Sequence, residues 1–189
     1  MTANAATSPM DADAFLAWGE GRDGRWELRD GAAVAMSPES LGHVRTKTRA
    51  RNALAAAIAQ AGKPCEAIGD GVTDGVTVRI NARNAYQPDA VVVCGRRLDP
   101  EALEASDPVI ILEVLSPSTA SIDHGRKFTD YFSLPSVAHY LILDADRRVL
   151  IHHARGEGDV VVTRVLANGV LRLDPPGIMV DCGAMFAEA

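Results

Sequence analysis

The stretch Val109-Ile110-Ile111-Leu112-Glu113-Val114-Leu115-Ser116-Pro117-Ser118-Thr119 decides how this chain is read. Its opening residues, Val109 to Leu112, are the most hydrophobic run in the sequence, which predicts a central buried strand. Ser116-Pro117 breaks that strand. Alternation puts Ile111, Glu113 and Leu115 on one face and Ile110, Leu112 and Val114 on the other. Glu113 is therefore a carboxylate at the end of an apolar strand, where burial is costly without a pairing charge, hydrogen bonds or a metal. Asp89 poses the same question, because Gln87-Pro88-Asp89 leads directly into the apolar run Ala90 to Cys94. If the two strands are neighbours, these carboxylates converge as a hard-oxygen ligand set suited to Mg²⁺ or Mn²⁺. If both lie at open strand ends, they are simply solvated. Spacing alone leaves both readings standing.

Working outward, a helix from about Ser121 to Ser133 follows, stopped by Leu134-Pro135. Asp123, Lys127 and Tyr131 fall on one face of it at i, i+4, i+8. Asp123–Lys127 reads either as an exposed ion pair or as the element that brings an ammonium to the carboxylates. The longest helix candidate lies upstream, Leu41 to Ala61, with Gly62 and Pro64 just past its end. At 100° per residue His43, Thr46, Lys47, Ala50, Leu54, Ala57, Ile58 and Ala61 share its inner face, while Arg45, Arg49 and Asn52 point away. His43 thus faces the sheet, either as a site residue or as a core histidine bonded to a backbone carbonyl. Lys47 reads as a phosphate contact or a snorkelling side chain, and Glu27 chiefly as a strand-surface residue, with a role behind the metal ligands as the lesser alternative.

Elsewhere, Asp11 or Asp13 caps a short helix through Trp18. A hairpin turns at Asp30-Gly31 between Trp26–Leu28 and Ala32–Met36. Gly75 to Ile80 alternates as a strand, Asp99 to Ala105 reads as a short helix, and His139–Leu143 with Val149–His153 forms a second hairpin. His152 and His153 point to opposite faces, so they are no chelating pair. Three short strands (Val160–Val165, Val170–Leu173, Ile178–Val180) and a brief helix to Phe186 complete an α+β order. It predicts one mixed β-sheet with two substantial helices.

Composition narrows the function classes. The chain has 189 residues, 47% hydrophobic and 23% charged, enough for one domain with a real core. Residues 1–10 read as a disordered tail and 11–189 as the domain. No apolar run approaches the ~18 residues of a membrane span, and Met1 to Met10 lacks a secretory signal pattern. Lys+Arg of 19 against Asp+Glu of 25 gives 19 − 25 = −6, which argues against non-specific coating of nucleic acid while leaving room for a local basic groove. Cys65, Cys94 and Cys182 have no metal or disulfide spacing, so three buried free thiols and a cytoplasmic location are expected.

Several of these segments together resemble the Uma-two family, part of the PD-(D/E)XK nuclease superfamily. They are Gln87-Pro88-Asp89, Ile111 to Thr119, and Asp123-x-x-x-Lys127-x-x-x-Tyr131. Trp26-Glu27-Leu28-Arg29-Asp30-Gly31, Met36-Ser37-Pro38 with His43, and Val137 to Asp144 add to them. The likeness runs from Trp26 to Phe186. It departs from the family at His139 and Leu141, where an acidic residue and Trp are more usual.

The resemblance implies a restriction-endonuclease-like core, a mixed β-sheet flanked by helices. It makes Asp89 and Glu113 the acidic metal ligands, with the Val114 carbonyl as a further ligand. The superfamily lysine normally stands two residues after the second acid, where this chain has Leu115. Lys127, on the following helix, takes that role, since a side chain's position in space is what the chemistry requires. His43, Asp123 and Tyr131 are supporting residues.

The expectation is a Mg²⁺- or Mn²⁺-dependent DNA endonuclease, with a homodimer as one way to cut both strands. The competing expectations are a nuclease-fold protein that only binds nucleic acid or a protein partner, and a hydrolase of small phosphoesters.

Overall fold

The computed structural model describes residues 9–69, 76–95, 97–115 and 123–186. The chain opens with helix α1 (Ala12–Gly19), hairpin β1 (Trp26–Arg29) and β2 (Ala32–Ala35), and the long helix α2 (Leu41–Ala61). Strands β3 (Cys65–Gly69), β4 (Val78–Asn81), β5 (Asn84–Tyr86), β6 (Ala90–Cys94) and β7 (Ile110–Val114) follow. Helix α3 (Asp123–Ser133) leads into β8 (His139–Asp144), β9 (Val149–Arg155) and β10 (Val161–Leu166). Hairpin β11 (Val170–Leu173) and β12 (Ile178–Asp181) and helix α4 (Cys182–Phe186) end the described chain.

The Val109–Leu115 run does form the centre. A six-stranded sheet has the order β10-β9-β8-β7-β6-β3, with β7 between β6 and β8. The β7–β8 pair is parallel and the others in this sheet are antiparallel. Parallel neighbours need a crossover, and α3 lies in it. Ile110, Leu112 and Val114 pack with Ala50, Leu54 and Ile58 of α2 in one core layer. Ile111 packs with Tyr86, Tyr131 and Tyr140 in the layer on the other face. Each fully buried aliphatic side chain contributes ~1.5–3 kcal/mol, so both faces hold the strand in register.

Helix α2 has the expected bounds. The Ser40 hydroxyl accepts from the His43 N–H at 3.2 Å at its start, a cap worth about 1 kcal/mol. Gly62 ends it in the left-handed region at φ 59°, which glycine adopts without strain. Its buried stripe is Thr46, Lys47, Ala50, Leu54, Ala57 and Ile58. The β1–β2 turn takes positive φ at both Asp30 and Gly31, the twist-matched hairpin geometry.

Four expectations are corrected. The strands divide among three sheets, of four, six and two strands, because β1, β2, β4 and β5 pair with one another and cover α1 and Leu28 in a separate small core. Residues 99–105 are not helical: Thr77 pairs with this segment, donating to Leu103 O at 3.1 Å and accepting from the Ala105 N–H at 2.8 Å. Cys65 and Cys94 are register partners on β3 and β6 and form a disulfide, leaving only Cys182 as a free, buried thiol. Glu27 is fully buried rather than on the surface, since both faces of β1 are covered. Strands β3 and β5 escape the sequence reading, being short and lacking clean alternation. No helix among the described residues is long and apolar enough to cross a membrane. Most of the expected disordered tail, and the Ser116-Pro117 strand break, lie outside the described residues.

Candidate active site

Register brings the two carboxylates together. Ala90 pairs with Leu112 across β6 and β7, so the antiparallel count places Asp89 opposite Glu113 at the sheet's end. Both are buried, at 3% and 7% exposure. The Asp89 carboxylate is held from two sides, accepting from the Val114 N–H at 2.7 Å and lying 2.9 Å from Lys47 Nζ. Glycine at position 69 lets β3 approach the start of β6 closely: a Cβ there would meet the Asp89 carbonyl oxygen at 2.6 Å and Ala90 Cα at 2.9 Å.

Helix α3 supplies the other half. Lys127 Nζ lies 3.0 Å from Glu113 Oε1 and 2.8 Å from Glu27 Oε1, with the Tyr86 ring 5.4 Å away. The Tyr131 hydroxyl donates to the same Glu113 oxygen at 2.8 Å. Burial drives the Glu113 carboxyl up to about 7, the Asp89 and Glu27 charges add to that, and Lys127 opposes it. Burial alone would lower Lys127, yet Glu113 and Glu27 outweigh it and hold the ammonium protonated well above the ordinary lysine range. For Glu27 burial pushes upward, but Lys127 and Arg29 prevail and keep its carboxyl below the usual value. Burial and the Glu113 charge raise the Tyr131 phenol, so it remains a donor.

Helix α2 and the loop before it complete the cluster. Lys47 Nζ sits 2.9 and 2.8 Å from the two Glu39 oxygens as well as against Asp89. Arg25 bonds Glu39 at 2.6 Å and the Gln87 carbonyl at 3.0 Å. Ligand atoms of Glu39, His43 and Asp89 all lie within 4.8 Å of one another. This donor set of two carboxylates and an imidazole fits a small divalent cation. Gln87 Oε1, buried without a partner among the described residues, is a further oxygen nearby.

The structure thus gathers Asp89, Glu113, Val114, Lys127, Tyr131 and His43, while the Asp123 and His124 side chains lie outside the described residues. His152 and His153 do diverge, the first bonding His139 at 3.0 Å and the second Thr163 at 2.8 Å. Arg126, adjacent to the lysine, is bound to Asp30 at 2.7 Å and Asn84 at 2.9 Å.

A sequence profile described as "Uma2: Putative restriction endonuclease" matches residues 12–180. The chain belongs to the Uma2 family. An uncharacterized protein, slr1290, of Synechocystis sp. is 28% identical over 186 residues, covering 94% of this chain and 93% of that protein. Among solved structures, a "putative nuclease belonging to DUF820" from Anabaena variabilis superposes with a TM-score of 0.67 at 12% identity. That match covers 94% of this chain and 98% of the other, and it shows the shared fold. Family and fold together make this Uma2 chain a restriction-endonuclease-like, nuclease-type domain.

Two residues of the buried charge cluster, Glu27 and Glu39, are not expected in it from the sequence. Glu27 looked like a strand-surface residue because the covering of β1's second face is a non-local event. Glu39 was not singled out, being outside the helix. A signal existed: Glu39, His43 and Lys47 repeat the i, i+4, i+8 spacing of Asp123, Lys127 and Tyr131.

Proposed function

We propose that this Uma2 protein is a divalent-metal-dependent endonuclease that hydrolyses phosphodiester bonds in DNA. The observation that carries the reading is the buried pair Asp89 and Glu113, opposed at adjoining strand ends, each clamped by its own lysine. Asp89, Glu113, Glu39 and His43 are the residues that would hold Mg²⁺ or Mn²⁺, with the Val114 carbonyl beside them. The bound ion supplies Lewis acidity toward a phosphate oxygen and lowers the pKa of a water.

The chain's own groups do the rest. Val114 N–H and Lys47 fix the Asp89 carboxylate, and Tyr131 fixes Glu113. Lys127 keeps its proton on Nζ and directs positive charge at the oxygens where negative charge develops. A homodimer would present two such sites to the two strands of a duplex.

Cutting is the test. Wild-type protein with Mg²⁺ or Mn²⁺ nicks supercoiled plasmid, and Asp89→Asn, Glu113→Gln and Lys127→Ala, each assayed below its own melting temperature, reduce nicking by on the order of 10³-fold or more. Nicking that survives all three overturns the assignment.

One observation favours a second reading, a non-catalytic binding protein on the same fold. Lys47 already sits 2.8–2.9 Å from Glu39 and Asp89 and balances them without a metal. Calorimetric titration with Mn²⁺ separates the two: a catalytic site binds the ion and loses it in Asp89→Ala, whereas the binding protein takes up none.

A further inference from the structure

A cavity of about 370 Å³ opens along the first half of α2 and shares His43 with the carboxylate cluster. Ser40, His43, Thr46 and Arg49 line it from α2 and its cap, and Arg148 and Phe186 from the opposite wall. We propose that this cavity is an anion subsite that receives a backbone phosphate of the DNA strand flanking the one that is cut. The inference rests on the nuclease reading and deepens it, assigning strand positioning to groups outside the carboxylate cluster.

Three features carry it. First, the cavity shares His43 with the candidate metal ligands and reaches Leu115, two residues after Glu113, so it continues the site rather than standing apart. Second, two guanidiniums from separate elements converge on it. Arg49 is braced on α2, its Nε donating to the Arg45 carbonyl at 3.2 Å and its terminal nitrogen to Thr46 Oγ1 at 3.4 Å. Arg148 lies in the β8–β9 turn with φ of 53° and donates to the Phe186 carbonyl at 3.3 Å, its guanidinium 5.6 Å from that ring. Planar guanidiniums are the side chains best matched to phosphate oxygens.

Third, the charged side chains on the described lining are two arginines and one carboxylate, Asp146, in a protein of net −6.

The test is DNA binding in a Glu113→Gln background, measured by fluorescence anisotropy of a short labelled duplex across a salt series. Arg148→Ala and Arg49→Ala each reduce the slope of log affinity against log salt by about 0.9, and the pair weakens binding about tenfold at moderate salt. Arg148→Lys, which keeps the charge, restores the slope, and Asp146→Asn tightens binding. Thermal melts confirm that the variants fold.

If the double variant binds the duplex with unchanged affinity and slope while the wild type still cuts plasmid, the subsite is wrong and the nuclease reading stands. If inorganic phosphate raises the melting temperature in an Arg148-dependent way but leaves duplex binding untouched, the cavity serves a free anion and the proposal fails. If the parent protein neither binds nor cuts DNA, the nuclease reading fails and takes this inference with it.

Discussion

The two ends of strand β7 handle buried polar groups in opposite ways. At the Val114 end, lysines stand among carboxylates: Lys47 with Glu39 and Asp89, Lys127 with Glu27 and Glu113. All of these groups but Glu39 are buried, yet Lys127 stays charged and the Glu27 carboxyl stays below its ordinary range. At the Ile110 end, whose register partner is His139, the neighbouring strands hold a His139–His152 pair with nitrogens 3.0 Å apart. Among the described residues no carboxylate is hydrogen-bonded to it. Burial, His139 and Arg164 depress His152 to about 4. Burial also lowers His139, against the pull of the Pro175 and Asp174 carbonyls and the Asp174 charge. Burial without a compensating opposite charge therefore disfavours a protonated base, and ion pairing is what keeps Lys127 and Glu27 charged. Charge is retained where the chemistry would need it.

Breaking the ion pairs should show the largest effect. Lys127→Met leaves Glu27 and Glu113 facing each other without their shared cation, at a cost of ~3–5 kcal/mol; chemical denaturation measures it, and a loss under about 1 kcal/mol would mean the lysine is not the clamp described. Lys47→Met is milder, about 2 kcal/mol, because Glu39 keeps Arg25 at 2.6 Å and is 21% exposed. Added Mn²⁺ should recover part of that stability, and a melt indifferent to Mn²⁺ would contradict a cation site there. Tyr131→Phe removes one hydrogen bond to a charged acceptor, ~1.5–3 kcal/mol by mutational precedent and nearer the lower bound with Lys127 still present.

The histidine end responds to pH instead. A histidine whose folded pKa lies below the ordinary 6.5 contributes stability that is complete above 6.5 and lost as pH falls toward about 4. The slope is at most ~1.4 kcal/mol per pH unit for each proton. His152→Asn should flatten the fall in melting temperature over that window. An identical pH profile for variant and wild type would place the dependence elsewhere.

The same contrast explains what could be read from the sequence. Asp89 and Glu113 stood out because a carboxylate bordering an apolar strand is a local anomaly, and α2 because its caps and inner stripe are local too. For Lys127 the residues left two readings open and the family resemblance favoured the site, since nothing in its i, i+4 pairing with Asp123 distinguishes a surface ion pair from a site. Glu27 and the Cys65–Cys94 pairing were misread, and β3 was not seen, because each depends on which strands become neighbours. The second sheet likewise arises from pairing across distant segments, β1 with β5 at Leu28 and Ala85. Periodicity assigns faces, but it does not say what will cover them.

The most direct measurement is a crystal of the protein soaked in Mn²⁺, with the ion located by its anomalous scattering. The account predicts one peak at bonding distance, ~2.0–2.2 Å, from an Asp89 oxygen, with Glu113 or Glu39 and His43 completing the shell. A map with no peak at Asp89, and Lys47 still clamped between Asp89 and Glu39, would contradict it.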